Sequence, residues 1–110
     1  MFLTYLINST MQEKFTNLAY LDFVAQCHNP NVIILDVRTA AEFTDFHLPD
    51  AVNVDIKQPG FSDEIAELDP KKTYLVYCSK GIRSVNACLL MSQMGFNRIF
   101  NLKGGLQSAP

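Results

Sequence analysis

The sequence predicts an α/β fold in which a parallel sheet is covered by helices. Three observations carry this. Val32-Ile33-Ile34-Leu35 and Thr73-Tyr74-Leu75-Val76-Tyr77 are continuous apolar runs rich in β-branched and aromatic residues. Such runs belong to strands buried on both faces, as in parallel sheets. Segments of helical period separate the apolar runs, giving the alternation of strand and helix that defines the class.

Taken in chain order, residues 1–14 precede the first regular pattern and read as an N-terminal arm, with one domain from 15 to 110. Thr16 or Asn17 can cap a helix running to about His28, with Leu18, Leu21, Val24 and Ala25 at helical spacing. Asn29-Pro30-Asn31 stops it, because proline cannot continue a helix and disfavours α geometry before it. The first buried run ends in Asp36-Val37-Arg38. Thr39 then caps a short helix through Ala40, Ala41, Glu42 and Phe43. His47-Leu48-Pro49-Asp50 reads as a turn and Ala51-Val52-Asn53-Val54 as a short strand. Residues 62–67 form a brief helix that Asp69-Pro70 ends. The second buried run leads through Cys78-Ser79-Lys80-Gly81-Ile82-Arg83 into a helix over 84–94, with Gly95 placed for a left-handed C-cap. Arg98-Ile99-Phe100 is a last strand.

Composition narrows the function. Hydrophobic residues are 48% and charged residues 18% of 110, a balance that builds one buried core. A net charge of −2 gives no reason to expect nucleic acid or a membrane surface as partner. The charge is uneven, however: residues 56–110 hold seven basic side chains against four acidic ones, a balance of +3 that suits a small anion. Cys27, Cys78 and Cys88 have neither paired disulfide spacing nor a metal-ligand pattern, so no metal and no cofactor is expected. Reduced thiols point to a cytoplasmic setting. The N-terminus lacks a basic leader and a long apolar stretch, so export is not expected.

Cys78 is the candidate nucleophile. It lies between a buried strand and a helix N-terminus, where unpaired backbone N–H groups and the helix dipole stabilise an anion. A thiolate is such an anion. Gly81 lets the loop take positive φ and turn its amides inward, while Lys80 and Arg83 add positive charge at the mouth. Ligands of open α/β sheets bind outside the carboxyl ends of the strands, which is where Cys78 falls.

The ordered landmarks Leu35-Asp36-Val37-Arg38, Glu42-Phe43, His47-Leu48-Pro49-Asp50-Ala51-Val52-Asn53, the Cys78 loop with Ser84, Gly95-Phe96 and Leu102-Lys103-Gly104-Gly105 resemble the rhodanese-like family. The match covers about Phe15 to Gly105. The resemblance implies a five-stranded, mostly parallel sheet with helices on both faces. It implies thiosulfate sulfurtransferase activity without a cofactor, through a persulfide on Cys78 held by the amides of Ser79, Lys80, Gly81, Ile82 and Arg83. Thiosulfate or a similar sulfane anion is the implied donor, and cyanide, a thiol or a protein the acceptor. The sequence departs from the family pattern at Phe46, Asp50 and Asp55, which stand where glycine, glycine and proline are usual.

The remaining candidates are weighed against plain structural roles. Asp36 and Arg38 are read as structural, pairing with each other, with loop amides or with Glu42. His47 is also read as structural, since an already formed thiolate needs no strong base. Cys88 lies too far along its helix to bridge Cys78, at a rise of ~1.5 Å per residue. Met91 and Met94 fill the core, and Cys27 packs or is partly exposed where the first helix ends. Two other functions share this architecture. Phosphatase or arsenate-reductase loops set one residue more between cysteine and arginine than the four here, Ser79 to Ile82. A non-catalytic sulfur carrier would need the same cysteine as the enzyme.

Overall fold

The computed structural model describes residues 14–110. Five strands form one parallel sheet: β1 (Thr16–Leu18), β2 (Val32–Asp36), β3 (Val52–Asn53), β4 (Thr73–Tyr77) and β5 (Ile99–Leu102), in the order β1-β5-β4-β2-β3. The connecting helices are α1 (Tyr20–Gln26), α2 (Ala40–Asp45), α3 (Phe61–Ala66) and α4 (Ile82–Gln93), with a 3-10 turn at Leu106–Ser108. The two apolar runs are the inner pair. β4 sits at the centre between β5 and β2, and Leu75 and Val76 are wholly buried.

Alternation along the strands divides the core between the two faces of the sheet. Leu35 and Val37 with Tyr74 and Val76 pack on the face that carries α3 and α4, against Ile65, Ala87 and Met91. Ile34, Leu75 and Tyr77 pack on the other, against Phe23 of α1 and Leu48. Cys78 follows the same alternation onto the α4 face. Its position is thus fixed by the pleat of the strand that leads to it.

The N-terminal assignment is corrected. Thr16 and Asn17 do not cap a helix; they lie in β1, paired with Phe100 and Asn101 of β5. The first helix begins at Tyr20 after Ala19, without a side-chain cap. Tertiary pairing has overridden a local capping preference. Leu18 accepts the Lys103 N–H at 2.9 Å, and the Asn17 carboxamide oxygen accepts from the Asn101 side chain at 2.9 Å. Residues 1–13 of the arm lie outside the described residues.

Other local expectations hold with small shifts. Thr39 caps α2 in a full capping box, its hydroxyl accepting from Glu42 N–H while Glu42 accepts from Thr39 N–H at 3.1 Å. Gly95 takes φ +96° just past α4. Asp50, where the family pattern has glycine, takes φ +66°, a region aspartate tolerates better than most residues.

Candidate active site

The loop from Cys78 to Arg83 leaves the carboxyl end of β4 and turns into α4. Cys78 is 1% exposed, yet it forms the floor of a cavity of about 590 Å³. Its Sγ accepts the Gly81 N–H at 3.1 Å and the Ser84 N–H at 3.3 Å, with the Ser84 hydroxyl also 3.3 Å away. A thiol donates to that hydroxyl; on ionisation the hydroxyl turns to donate, which adds a third hydrogen bond to the sulfur. Gly81 at φ +93° aims its amide inward.

A second layer holds the loop. The Leu106 and Gln107 N–H groups donate to the Cys78 and Ser79 carbonyls at 2.9 and 3.0 Å. Gly105 passes so close that a Cβ on it would lie 2.6 Å from the Cys78 carbonyl oxygen. A Cβ on Gly81 would meet Gly104 N at 2.9 Å. Both glycines are required for this backbone-to-backbone contact. At the end of β4, Tyr77 takes the Leu48 N–H on its hydroxyl at 3.0 Å, and burial raises its phenol well above the ordinary value.

The loop residues expected from the sequence separate into inner and outer positions. Ser79, Lys80, Ile82 and Arg83 line the cavity, with Ile82 69% exposed at the rim. Ser79 and Arg83 both turn to Glu42. Arg83 donates from both terminal nitrogens to the Glu42 carboxylate at 2.7 and 3.0 Å, and Ser79 Oγ donates at 3.1 Å. The Arg83 guanidinium, with further help from Thr39, holds the Glu42 carboxyl well below the usual carboxylate range. Positive charge expected from Arg83 at the mouth is therefore largely offset by Glu42.

Asp36 and Arg38 pair with each other and not with Glu42. Arg38 Nε and Nη2 reach the Asp36 carboxylate at 3.0 and 2.6 Å, and Arg38 N–H donates to it at 2.9 Å. Nη2 also donates to the Phe46 carbonyl. His47 stacks on Phe43 with its Nδ1 2.8 Å from the Phe43 carbonyl oxygen, and it is not among the residues that line the cavity. Cys88 is fully buried and Cys27 half-buried; burial raises both thiols above the ordinary value.

Sequence reasoning did not place Ser84, Glu42 and Lys57 at the site. Ser84 appeared only as a landmark, although its place at the start of α4 after a cysteine loop was a usable signal. Glu42 appeared as a landmark and as a partner for Arg38. Nothing local could reveal its pairing with a residue 41 positions away. Among the described residues, no group of His, Cys, Asp and Glu side chains could hold a metal ion, and no helix is long and apolar enough to cross a membrane.

The model of the rhodanese-like domain matches residues 21–109, which span β2 through β5 and the whole Cys78 loop. The chain belongs to the rhodanese-like family. It is 32% identical over 76 residues to a sulfurtransferase of Allochromatium vinosum, covering 69% of each chain. It is 32% identical over 75 residues to the thiosulfate sulfurtransferase GlpE of Pseudomonas savastanoi, covering 68% of this chain and 69% of that one. It also matches 19% of the length of a longer protein, a tRNA sulfurtransferase of Vibrio cholerae, at 30% identity over 91 residues. A rhodanese-like domain protein of Staphylococcus aureus has the same fold, with a TM-score of 0.74 at 20% identity over 84% of this chain and 89% of that one. The rhodanese-like sulfurtransferases are thus the family of this fold and this loop.

Proposed function

We propose that this protein moves a sulfane sulfur from thiosulfate or a similar anionic donor to a nucleophilic acceptor, through a persulfide on Cys78. The observation that carries this reading is the Cys78 sulfur on the cavity floor, receiving two backbone N–H groups at 3.1 and 3.3 Å. Oriented donors favour a thiolate without a base. The likeness to a thiosulfate sulfurtransferase supports thiosulfate as donor.

In the first half-reaction the Cys78 thiolate attacks the outer sulfur of thiosulfate. A sulfur–sulfur bond forms to Cys78, the bond within thiosulfate breaks, and sulfite leaves with its electron pair. The persulfide anion then rests against the loop formed by Ser79, Lys80, Gly81, Ile82 and Arg83, whose amides are the preorganised donors for its charge. In the second half-reaction cyanide, a thiol or a protein nucleophile attacks the outer sulfur and the Cys78 thiolate is released. Charge is conserved in both steps, and neither needs a cofactor.

The test is the intact mass of the purified protein after thiosulfate, beside Cys78→Ser. A gain of one sulfur atom, removed by cyanide and absent from the variant, is expected. A persulfide that cyanide fails to clear would make the chain a carrier rather than an enzyme. No gain would overturn the reading.

A further inference from the structure

The cavity over Cys78 is lined by three cations and one anion: Lys57, Lys80, Arg83 and Glu42. These are not equivalent. The guanidinium of Arg83 spends both terminal nitrogens on Glu42 at 2.7 and 3.0 Å. Glu42 is itself fixed by the Thr39 N–H at 3.1 Å and the Ser79 hydroxyl at 3.1 Å, so it cannot follow Arg83 toward a ligand. Lys57 and Lys80 form no ion pair among the described residues. The charge left to receive an anion is theirs.

Lys57 comes from outside the loop, and the chain places it over the site. Val54 N–H and Ile56 N–H donate to the carbonyls of Asp36 and Val37 at 2.9 and 3.2 Å, tying this segment to the carboxyl end of β2. Asp55 then accepts the Lys57 N–H on Oδ1 at 2.8 Å, forming an Asx turn. Asp55 stands where the family pattern has proline, which has a fixed φ and no side-chain acceptor. The departure from the pattern therefore builds the turn that carries Lys57.

We propose that Lys57 is a donor-binding residue: it receives the anionic group of the sulfane donor, with Lys80, because Glu42 keeps the Arg83 side chain occupied. The inference rests on the sulfur-transfer reading of Cys78. Attack on the outer sulfur requires the rest of the donor, with its negative charge, to point away from Cys78 toward the cavity mouth. Lys57 and Lys80 line that cavity as exposed side chains.

Thiosulfate:cyanide kinetics of the full chain test this, after the intact-mass measurement on the unaltered protein. Lys57→Met keeps the apolar stem and removes the charge. It should raise KM for thiosulfate about three- to tenfold, the worth of one partly exposed charge-assisted contact, with kcat little changed. It should also flatten the dependence of kcat/KM on salt. Lys71→Met, at the opposite end of the sheet, should move neither. Glu42→Gln keeps the Thr39 capping pattern and frees the Arg83 charge, so KM should fall. If the unaltered protein takes up sulfur while Lys57→Met behaves like Lys71→Met, the inference fails and the sulfur-transfer reading stands. An unchanged or raised KM in Glu42→Gln would overturn the role given to Glu42. No sulfur uptake by the unaltered protein overturns both.

Discussion

Ser84 joins the two roles that the cysteine loop has to combine. Its N–H belongs to the first turn of α4 and its hydroxyl lies 3.3 Å from the Cys78 sulfur, in a fully buried side chain. Ser84→Ala keeps the backbone donor and removes the hydroxyl. Its expected effect is about a tenfold slower formation of the persulfide, because a hydrogen bond to a charged group contributes about 1.5–3 kcal/mol and a neighbouring donor compensates in part. Rapid-quench mass measurement of sulfur uptake checks it, and a rate equal to that of the unaltered protein would remove Ser84 from the site. Asp36 and Arg38 show the contrasting case of charged residues that are structural. Their bidentate pair is buried at the end of β2, and the Arg38 guanidinium lies 5.7 Å from the Tyr77 ring centre.

Among the elements, the loop after β5 decides whether the loop after β4 keeps its shape. Gly105 has φ +66° and ψ −165°, a conformation almost confined to glycine, and a Cβ on it would lie within 2.4 Å of the Ser79 carbonyl and 2.6 Å of the Cys78 carbonyl oxygen. A methyl group there meets backbone, not a movable side chain. Gly105→Ala is expected to lower stability by about 2 kcal/mol or more, combining backbone strain with the clash. It should lower sulfur uptake as well, since the pressed backbone belongs to Cys78. Urea unfolding together with the mass assay measures both. Stability lost with full uptake retained would separate the closing loop from the site. Gly95 is a useful contrast: it has a similar φ, but a Cβ there meets nothing within 4 Å. Only the cost of the left-handed backbone applies at that position.

Across the whole molecule, Glu42 links α2 to the start of α4, and this makes stability depend on pH in a definite direction. Its folded value lies below the ordinary one, chiefly through Arg83. The contribution is therefore fully present above the ordinary carboxylate value of ~4.3 and is lost as pH falls below it. The difference in urea midpoint between the unaltered protein and Glu42→Gln should be constant from pH 7 to about 5 and shrink progressively on further acidification. A difference independent of pH would mean that the carboxylate is not paired in solution.

Most of the architecture was legible because it is written in local pattern. A strand buried on both faces must be apolar throughout, so β2 and β4 announced themselves, and with them the class of the sheet. A cysteine at a strand-to-helix turn beside Gly81 and Arg83 stands out in the sequence, and the structure brings the Gly81 and Ser84 N–H groups to 3.1 and 3.3 Å from its sulfur. Thr39 declared its cap, and Gly95 its helix end. β1 was not legible: Thr16 and Asn17 suit a helix cap as well as a strand edge, and only β5, more than 80 positions away, selects the strand. The same limit hid Glu42 and Lys57. Each lies on the cavity because β2 is the neighbour of β4, which carries the residues after β2 to the Cys78 loop. Sequence by itself determined what depends on near neighbours, namely periodicity, capping, turn chemistry and the strand-to-helix loop that begins at Cys78. The tertiary structure alone decided which distant charges meet, because Coulomb and hydrogen-bond energies depend on separation in space, and strand order sets that separation.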